Sequence, residues 1–259
     1  MIKLEILRRL ALAIGLASLT SGFAGLANAA TADGHPDLSG VWSVFWHDHP
    51  GGRFGAPAEP KLSAKGKAVV ADFAAKHDLD KYDPGAYCVP AGMPVEMYGA
   101  GGYPYEIIQQ PDRITILVEN DMQVRRLYMD GRSIPTDFPH TRGGYSIAHW
   151  DGDTLVVETG RIKAWPTERW PHSDETHVVE RISLKKPTEA DAKLRPGLTL
   201  ADLGTEILVD QETVTDPEMY DGPQTVTIYF RHIPDKEMLE YDCAEGNWWD
   251  AVEATAKNK

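Results

Sequence analysis

Beyond residue 30 no apolar run approaches the roughly 20 residues that a membrane-spanning helix requires, so stable membrane insertion is not expected. Cations are scarce. The chain holds 26 Lys and Arg against 39 Asp and Glu, for a formal net charge of −13. A surface this acidic repels nucleic acid and anionic lipid, which removes both as partners and leaves neutral or cationic small molecules. Cysteine is nearly absent, with 2 in 259 residues, which excludes a disulfide-dense scaffold and a cysteine-rich zinc fold. No internal repeat is visible. The segment 99–102 has Gly at three of its four places, but it lacks the Lys-Ser/Thr pair and the following helix of a phosphate loop. No other cofactor motif is present, so no cofactor is expected.

What the chain does have begins at its start. Lys3, Arg8 and Arg9 form a basic leader, residues 10–19 are apolar, and Ala27-Asn28-Ala29 fits the small-x-small cleavage rule. The expectation is a signal peptide over residues 1–29 and export to the periplasm or beyond. Removing a leader with three cations and one acid takes the net charge from −13 to −15. In an oxidising compartment the even cysteine count suggests a disulfide between Cys88 and Cys243.

The remaining residues, 30–259, read as one β-rich domain. Strands are expected at 37–46, 105–110, 114–119, 123–129, 145–150, 154–159, 176–184, 205–215, 224–232 and 237–243, each rich in β-branched and aromatic residues. Asp151-Gly152-Asp153 is a strong hairpin turn. One helix is expected over 63–77, where Val69, Val70, Phe73 and Ala74 recur at helical spacing and Ser63 can cap the start. Residues 78–102 are irregular, and 185–204 is a polar surface excursion. About ten short strands joined mostly by tight turns imply an all-β antiparallel barrel or sandwich.

Gly40-Val41-Trp42 opens the first strand. It resembles the Gly-x-Trp that opens the first strand of lipocalins, whose Trp packs across the closed end of the barrel under a late Arg. Arg231 stands where that Arg would. The resemblance implies a lipocalin-like barrel with a pocket at one mouth. The chain from residue 37 onward also resembles a large family of secreted proteobacterial proteins. The shared stretches are 37–42, 104–109, 125–132, 152–157 and 171–181. That resemblance implies membership and supplies no activity. The family tends to carry Gly-His-Ser where this chain has Gly144-Tyr145-Ser146, which puts any role of that His in doubt here.

The densest polar cluster is residues 171–181. His172 and Asp174 precede a strand, and a His beside a carboxylate suits general base chemistry. Turn hydrogen bonding by Ser173 and Asp174, with a solvated His172, explains the same residues. On the strand, His177, Val179 and Arg181 share one face and Val178, Glu180 and Ile182 the other, so either His177 with Arg181 or Glu180 lines a polar lumen. Glu106 poses the same question, and one of Arg125 and Arg126 faces inward. Together these give a candidate catalytic set of His172, Asp174, His177, Glu106 and Tyr145, with Arg126, Arg181, Trp165 and Trp170 binding a ligand. A structural ion-pair network is the alternative. A metal is not expected, although His47 and His49 lie on one side of an extended segment and His140, His172 or His177 could supply a third ligand. Aromatic residues in loops and tail, including Trp165, Trp170, Tyr220, Trp248 and Trp249, suit a flat apolar, aromatic or sugar-like ligand or plug the barrel ends.

The function expected is an exported enzyme that holds a small organic molecule and acts by cofactor-free acid–base chemistry, as a lyase, hydratase or isomerase. A non-catalytic periplasmic binding protein is the first alternative and a metal-dependent hydrolase the second. The sequence carries no signal for an oligomeric state.

Overall fold

Alternation of buried and exposed residues along the strands governs the fold. In the computed structural model, which describes residues 34–47, 59–78, 88–98, 102–166 and 170–241, nine strands close into one barrel. They are β1 (Gly40–His47), β2 (Tyr105–Gln110), β3 (Arg113–Val118), β4 (Gln123–Tyr128), β5 (Tyr145–Asp151), β6 (Thr154–Gly160), β7 (His177–Lys185), β8 (Ile207–Thr215) and β9 (Gln224–His232). They pair in sequence order, and β9 returns to β1 to close the sheet, which removes every free edge.

The tenth expected strand is not found over its described residues. Residues 237–241 carry no strand, because closure is already complete through β1 and β9. The expectation of wholly antiparallel pairing is also corrected. β4 and β5 run parallel through Leu127↔Ser146 and Tyr128↔Ile147. The chain leaving β4 at one end of the barrel must return along residues 129–144 to the opposite end before β5 begins, and that return makes the seam parallel. The β5–β6 hairpin turns as expected, with Gly152 in the left-handed region at φ 60°.

The inner faces of the strands supply most of the core, including Trp42, Ile114, Ile116, Leu127, Leu155, Val157, Val178, Ile182, Val214, Ile228 and Phe230. A β-bulge between Val44 and Trp46 switches the face of β1. Phe45, outward by alternation, and Trp46, kept outward by the bulge, join Leu203, Ile207 and Ala192 in a small cluster outside the barrel. That cluster seats the excursion between β7 and β8, which carries a short helix α2 (Glu189–Ala192) and a 3-10 turn at Leu200–Leu203. Thr188 with Asp191, and Thr199 with Asp202, form reciprocal caps there.

The expected first helix is α1 (Ala64–Lys76), capped by Ser63, whose Oγ accepts from Gly66 N at 2.9 Å. It docks at the end of the barrel where β8 hands over to β9. Ser63 N donates to Met219 O at 2.8 Å, and a Cβ on Gly66 would sit 2.2 Å from that carbonyl oxygen. No helix among the described residues is long and apolar enough to cross a membrane.

The residue packed on Trp42 is His232, with ring centroids 4.8 Å apart, and not Arg231. The register explains the correction. His232 pairs with Trp42 and shares its face, whereas Arg231 pairs with Ser43 and points the other way.

Candidate binding site in the barrel lumen

Strand parity places a set of ionisable side chains on the inner face. Arg125 on β4, Ser146 on β5, Thr159 on β6, Glu180 on β7, and Asp210 and Glu212 on β8 are all buried. Arg125 donates from Nη1 to Glu180 Oε1 at 2.7 Å and from Nη2 to Glu180 Oε2, a two-point ion pair with both side chains sealed from solvent. Its Nη2 also donates to Thr159 Oγ1 at 2.9 Å, and the Ser146 and Thr159 hydroxyls are 2.8 Å apart.

Two further groups enter from the long connection between β1 and β2. There a 3-10 turn, Val95–Tyr98, lies against the lumen. Its neighbour Gly92, at φ 71°, donates to Gln123 Oε1, and Met93 N donates to Arg142 O. This docking buries Glu96 and Tyr98. Tyr105 OH donates to Glu96 O at 2.8 Å, and Tyr98 OH donates to Glu212 Oε1 at 2.6 Å. Trp170 packs edge-on to both Tyr98 and Tyr220, with centroids 5.5 and 6.0 Å away. An aromatic wall therefore stands beside the acids.

Four carboxyl groups share this lumen with one guanidinium, so their charges cannot all be carried without a counter-ion. Burial pushes Glu96 up to about 7, held back by Arg125 and raised further by Glu180. Burial, then the neighbouring Glu180, moves Asp210 and Glu212 well above the usual carboxylate range. Burial raises Tyr98, and the Glu212 carboxyl adds to it. As an ionised acceptor Asp210 has no donor on either oxygen; once protonated it can donate to Glu180. Glu96 Oε1, Glu212 Oε2, Trp170 Nε1 and Tyr220 OH are also buried without a hydrogen-bond partner among the described residues.

The residues singled out by sequence are dispersed around this site. Trp170 lines it. His172 is buried next to it, but its ring is tied to backbone carbonyls, with Nδ1 2.7 Å from Trp170 O and Nε2 3.2 Å from Lys163 O. Burial lowers its pKa, so the ring is neutral and only one of those contacts carries a proton at a time. Asp174 is exposed, accepting from Ala164 N at 2.7 Å, with His140 Nδ1 3.4 Å away. Trp165 forms an isolated bridge with His172 and has the Arg142 guanidinium 3.8 Å over its ring.

Glu106, Arg126, Tyr145, His177 and Arg181 lie on the outer faces of their strands. Tyr145, expected in the catalytic set, therefore faces away from the lumen. It stacks on Tyr128, and its OH accepts from Arg132 Nη1 at 3.1 Å. His177 lies 3.9 Å from Glu158, and Arg181 donates to Asp151 at 2.9 Å. Of the alternatives left by alternation, Glu180 rather than His177 with Arg181, and Arg125 rather than Arg126, face the lumen. The physical reason is common to all five: the pleat puts neighbours on opposite faces, and the inner set is fixed by Ile107, Leu127, Ala148, Val178 and Ile182. His47 ends β1, buried and opposite Ile228, while His49, Cys243, Trp248 and Trp249 lie outside the described residues.

No protein-family model matches the chain, and no curated protein matches it in sequence. Among solved structures, similar chains include the fluorescent protein UnaG in its wild-type form and in a point variant. Each shows 14% identity and a TM-score of 0.32, over 76% of this chain and 97% and 96% of theirs. A likeness at that level carries no argument, and the closed nine-strand barrel is established by its own pairing.

Proposed function

We propose that this chain is an exported, lipocalin-like barrel that holds a small organic molecule against the polar wall of its lumen, beside the 88–98 segment. The carrying observation is the set of buried polar atoms without partners on Glu96, Asp210, Glu212, Trp170 and Tyr220. Each such atom costs about 1–3 kcal/mol if it stays unsatisfied. A guest with matching hydrogen-bond groups removes that cost, and the Tyr98, Trp170 and Tyr220 rings favour a flat or aromatic body on it. Export rests on the leader at 1–29, membership of the secreted proteobacterial family on the motifs at 37–42 and 152–157, and the Cys88–Cys243 disulfide on the compartment.

A second reading is a cofactor-independent lyase, hydratase or isomerase, favoured by one feature. Glu96, at about 7, is poised to give or take a proton near neutrality beside the Arg125 guanidinium, which can steady an anion. In this reading the proton-transfer groups are Glu96 and Asp210, and His172 positions the adjoining loop.

Native mass spectrometry of the protein purified from a periplasm tests the binding reading. A retained organic mass that is lost on Tyr220→Phe with Asp210→Asn supports it. A bare protein that takes up no member of a panel of aromatic and sugar-like compounds refutes it. Chemical change of a retained compound, abolished by Glu96→Gln while binding survives, selects the enzyme.

A further inference from the structure

We propose that Glu180, Asp210 and Glu212 form a binding site for one oxygen-preferring divalent cation, calcium before magnesium. One ligand oxygen from each of the three lies within 4.8 Å of the others, and all three side chains are fully buried. Three oxygens this close can converge on one ion by side-chain adjustment, and Ca²⁺ tolerates an irregular oxygen shell whereas Mg²⁺ demands a near-ideal octahedron.

Acids together do not make a site, and here the second observation is the unpartnered groups around them. Among the described residues both oxygens of Asp210 and Oε2 of Glu212 have no donor, and Glu96 Oε1 and Tyr220 OH, in residues over nine-tenths buried, are equally without partners. The charge of Glu180 bears on Glu96, and that of Glu212, after Asp216, bears on Tyr220, so both unpartnered groups lie near the acid cluster. Charge bookkeeping agrees. Three carboxylates, the Arg125 guanidinium and one divalent ion sum to zero with Glu96 protonated, so a dry lumen is left neutral. Glu180 is held by Arg125 on both oxygens and keeps one lone pair on each, so it closes the site from one side while Asp210 supplies the open oxygens. Donors that are all carboxylate or phenol oxygen select a hard cation over zinc or copper.

The inference does not depend on the organic guest, and metal alone is the probe. Isothermal titration of the EDTA-stripped, full-length mature protein with CaCl₂, MnCl₂ and MgCl₂ is run in two buffers of different ionisation enthalpy. The expected result is one ion per chain, Ca²⁺ or Mn²⁺ binding at least tenfold more tightly than Mg²⁺, with a net release of protons, because a carboxyl ligates without its proton. Asp210→Asn and Glu212→Gln mimic the protonated acids, so the fold is retained, which the melting temperature in EDTA verifies. Each is expected to weaken binding roughly 100-fold or more, while Glu106→Gln on the outer face leaves it unchanged. No heat and no rise in melting temperature with any of the three ions overturns the site, as does binding that survives Asp210→Asn. A retained organic mass with no metal response overturns the site and leaves the binding function standing.

Discussion

Asp216 lies just past β8 and is sealed from solvent. Its Oδ1 accepts from Ser173 Oγ at 3.0 Å, Glu218 N at 3.0 Å and Met219 N at 2.9 Å. Its Oδ2 accepts from Ser173 N at 2.6 Å and Thr176 Oγ1 at 2.5 Å. One carboxylate thus ties the loop before β7 to the turn before β9, and that turn seats Met219 against α1. Asp216→Asn is nearly isosteric, yet neither amide orientation fits. An NH₂ on the Oδ1 side meets two backbone N–H groups, and on the Oδ2 side it meets Ser173 N–H. At least one backbone N–H is orphaned in either case, at about 1–3 kcal/mol, and the remaining bonds lose their charge assistance. The expected loss is about 3 kcal/mol, or roughly 6–12 °C in melting temperature for a domain of this size. Urea unfolding followed by tryptophan fluorescence reads it directly. Burial raises this carboxyl, but the hydrogen bonds from Thr176, Ser173 and Met219 outweigh it and hold its pKa below 3.8. The folded state therefore prefers the ionised form. That stabilisation is fully present above 3.8 and is lost as pH falls through the lower folded value, so the gap between wild type and variant is constant near neutrality and closes under acid. A variant within 0.5 kcal/mol of wild type at pH 7, roughly the error of such a comparison, or a gap unchanged by acid, refutes the reasoning.

Three further outcomes are expected. Arg125→Met leaves Glu180 buried without its guanidinium and costs about 3–5 kcal/mol, whereas Arg125→Met with Glu180→Leu recovers most of that loss; chemical denaturation of both variants measures the difference. Gly66→Ala forces its Cβ to within 2.2 Å of Met219 O and costs roughly 1–3 kcal/mol despite the better helix propensity of Ala, seen as a lower melting temperature. In EDTA, Glu96 releases its proton at about 7 when folded against 4.5 when unfolded, so wild type loses stability as pH rises between those values; Glu96→Gln removes about 3 kcal/mol of that slope, and urea midpoints from pH 5 to 8 test it.

The fold was legible where local chemistry and tertiary pairing agree. Asp151-Gly152-Asp153 can serve only a tight turn, Ser63 opens a helix that its own hydroxyl caps, and eight of the nine strands both begin and end within two residues of their sequence patterns. The parallel seam was not legible. Residues 129–144 read as an ordinary connection, and nothing local records that it crosses from one end of the barrel to the other. The excursion over 185–204 is polar in composition, yet Leu198, Leu203 and Ala192 are enough to seat it on the outer wall, where the bulge in β1 sets Trp46 beside Phe45.

Alternation narrowed the site to pairs of alternatives and could not choose within them, because an inward face is defined only by closure. The apolar partners on each strand make the choice: Leu127 takes Arg125 inward, and Val178 with Ile182 takes Glu180. The same test was available on β8, where Asp210 and Glu212 share a face with Leu208 and Val214, a placement with no benefit on a solvated wall. Glu96 and Tyr98 had no such signal, since they sit in a proline- and glycine-rich stretch without a period. Conversely, the dense polar run around His172 attracted notice because its residues are adjacent in sequence, and adjacency mostly yields turns. His172 bonds to carbonyls two and nine residues away, and Ser173 and Thr176 bond to Asp216. The lumen acids come from β7, β8 and the connection between β1 and β2, far apart in the chain. Only a closed barrel brings their charges together, and only there does their mutual repulsion demand protons, a cation or a guest.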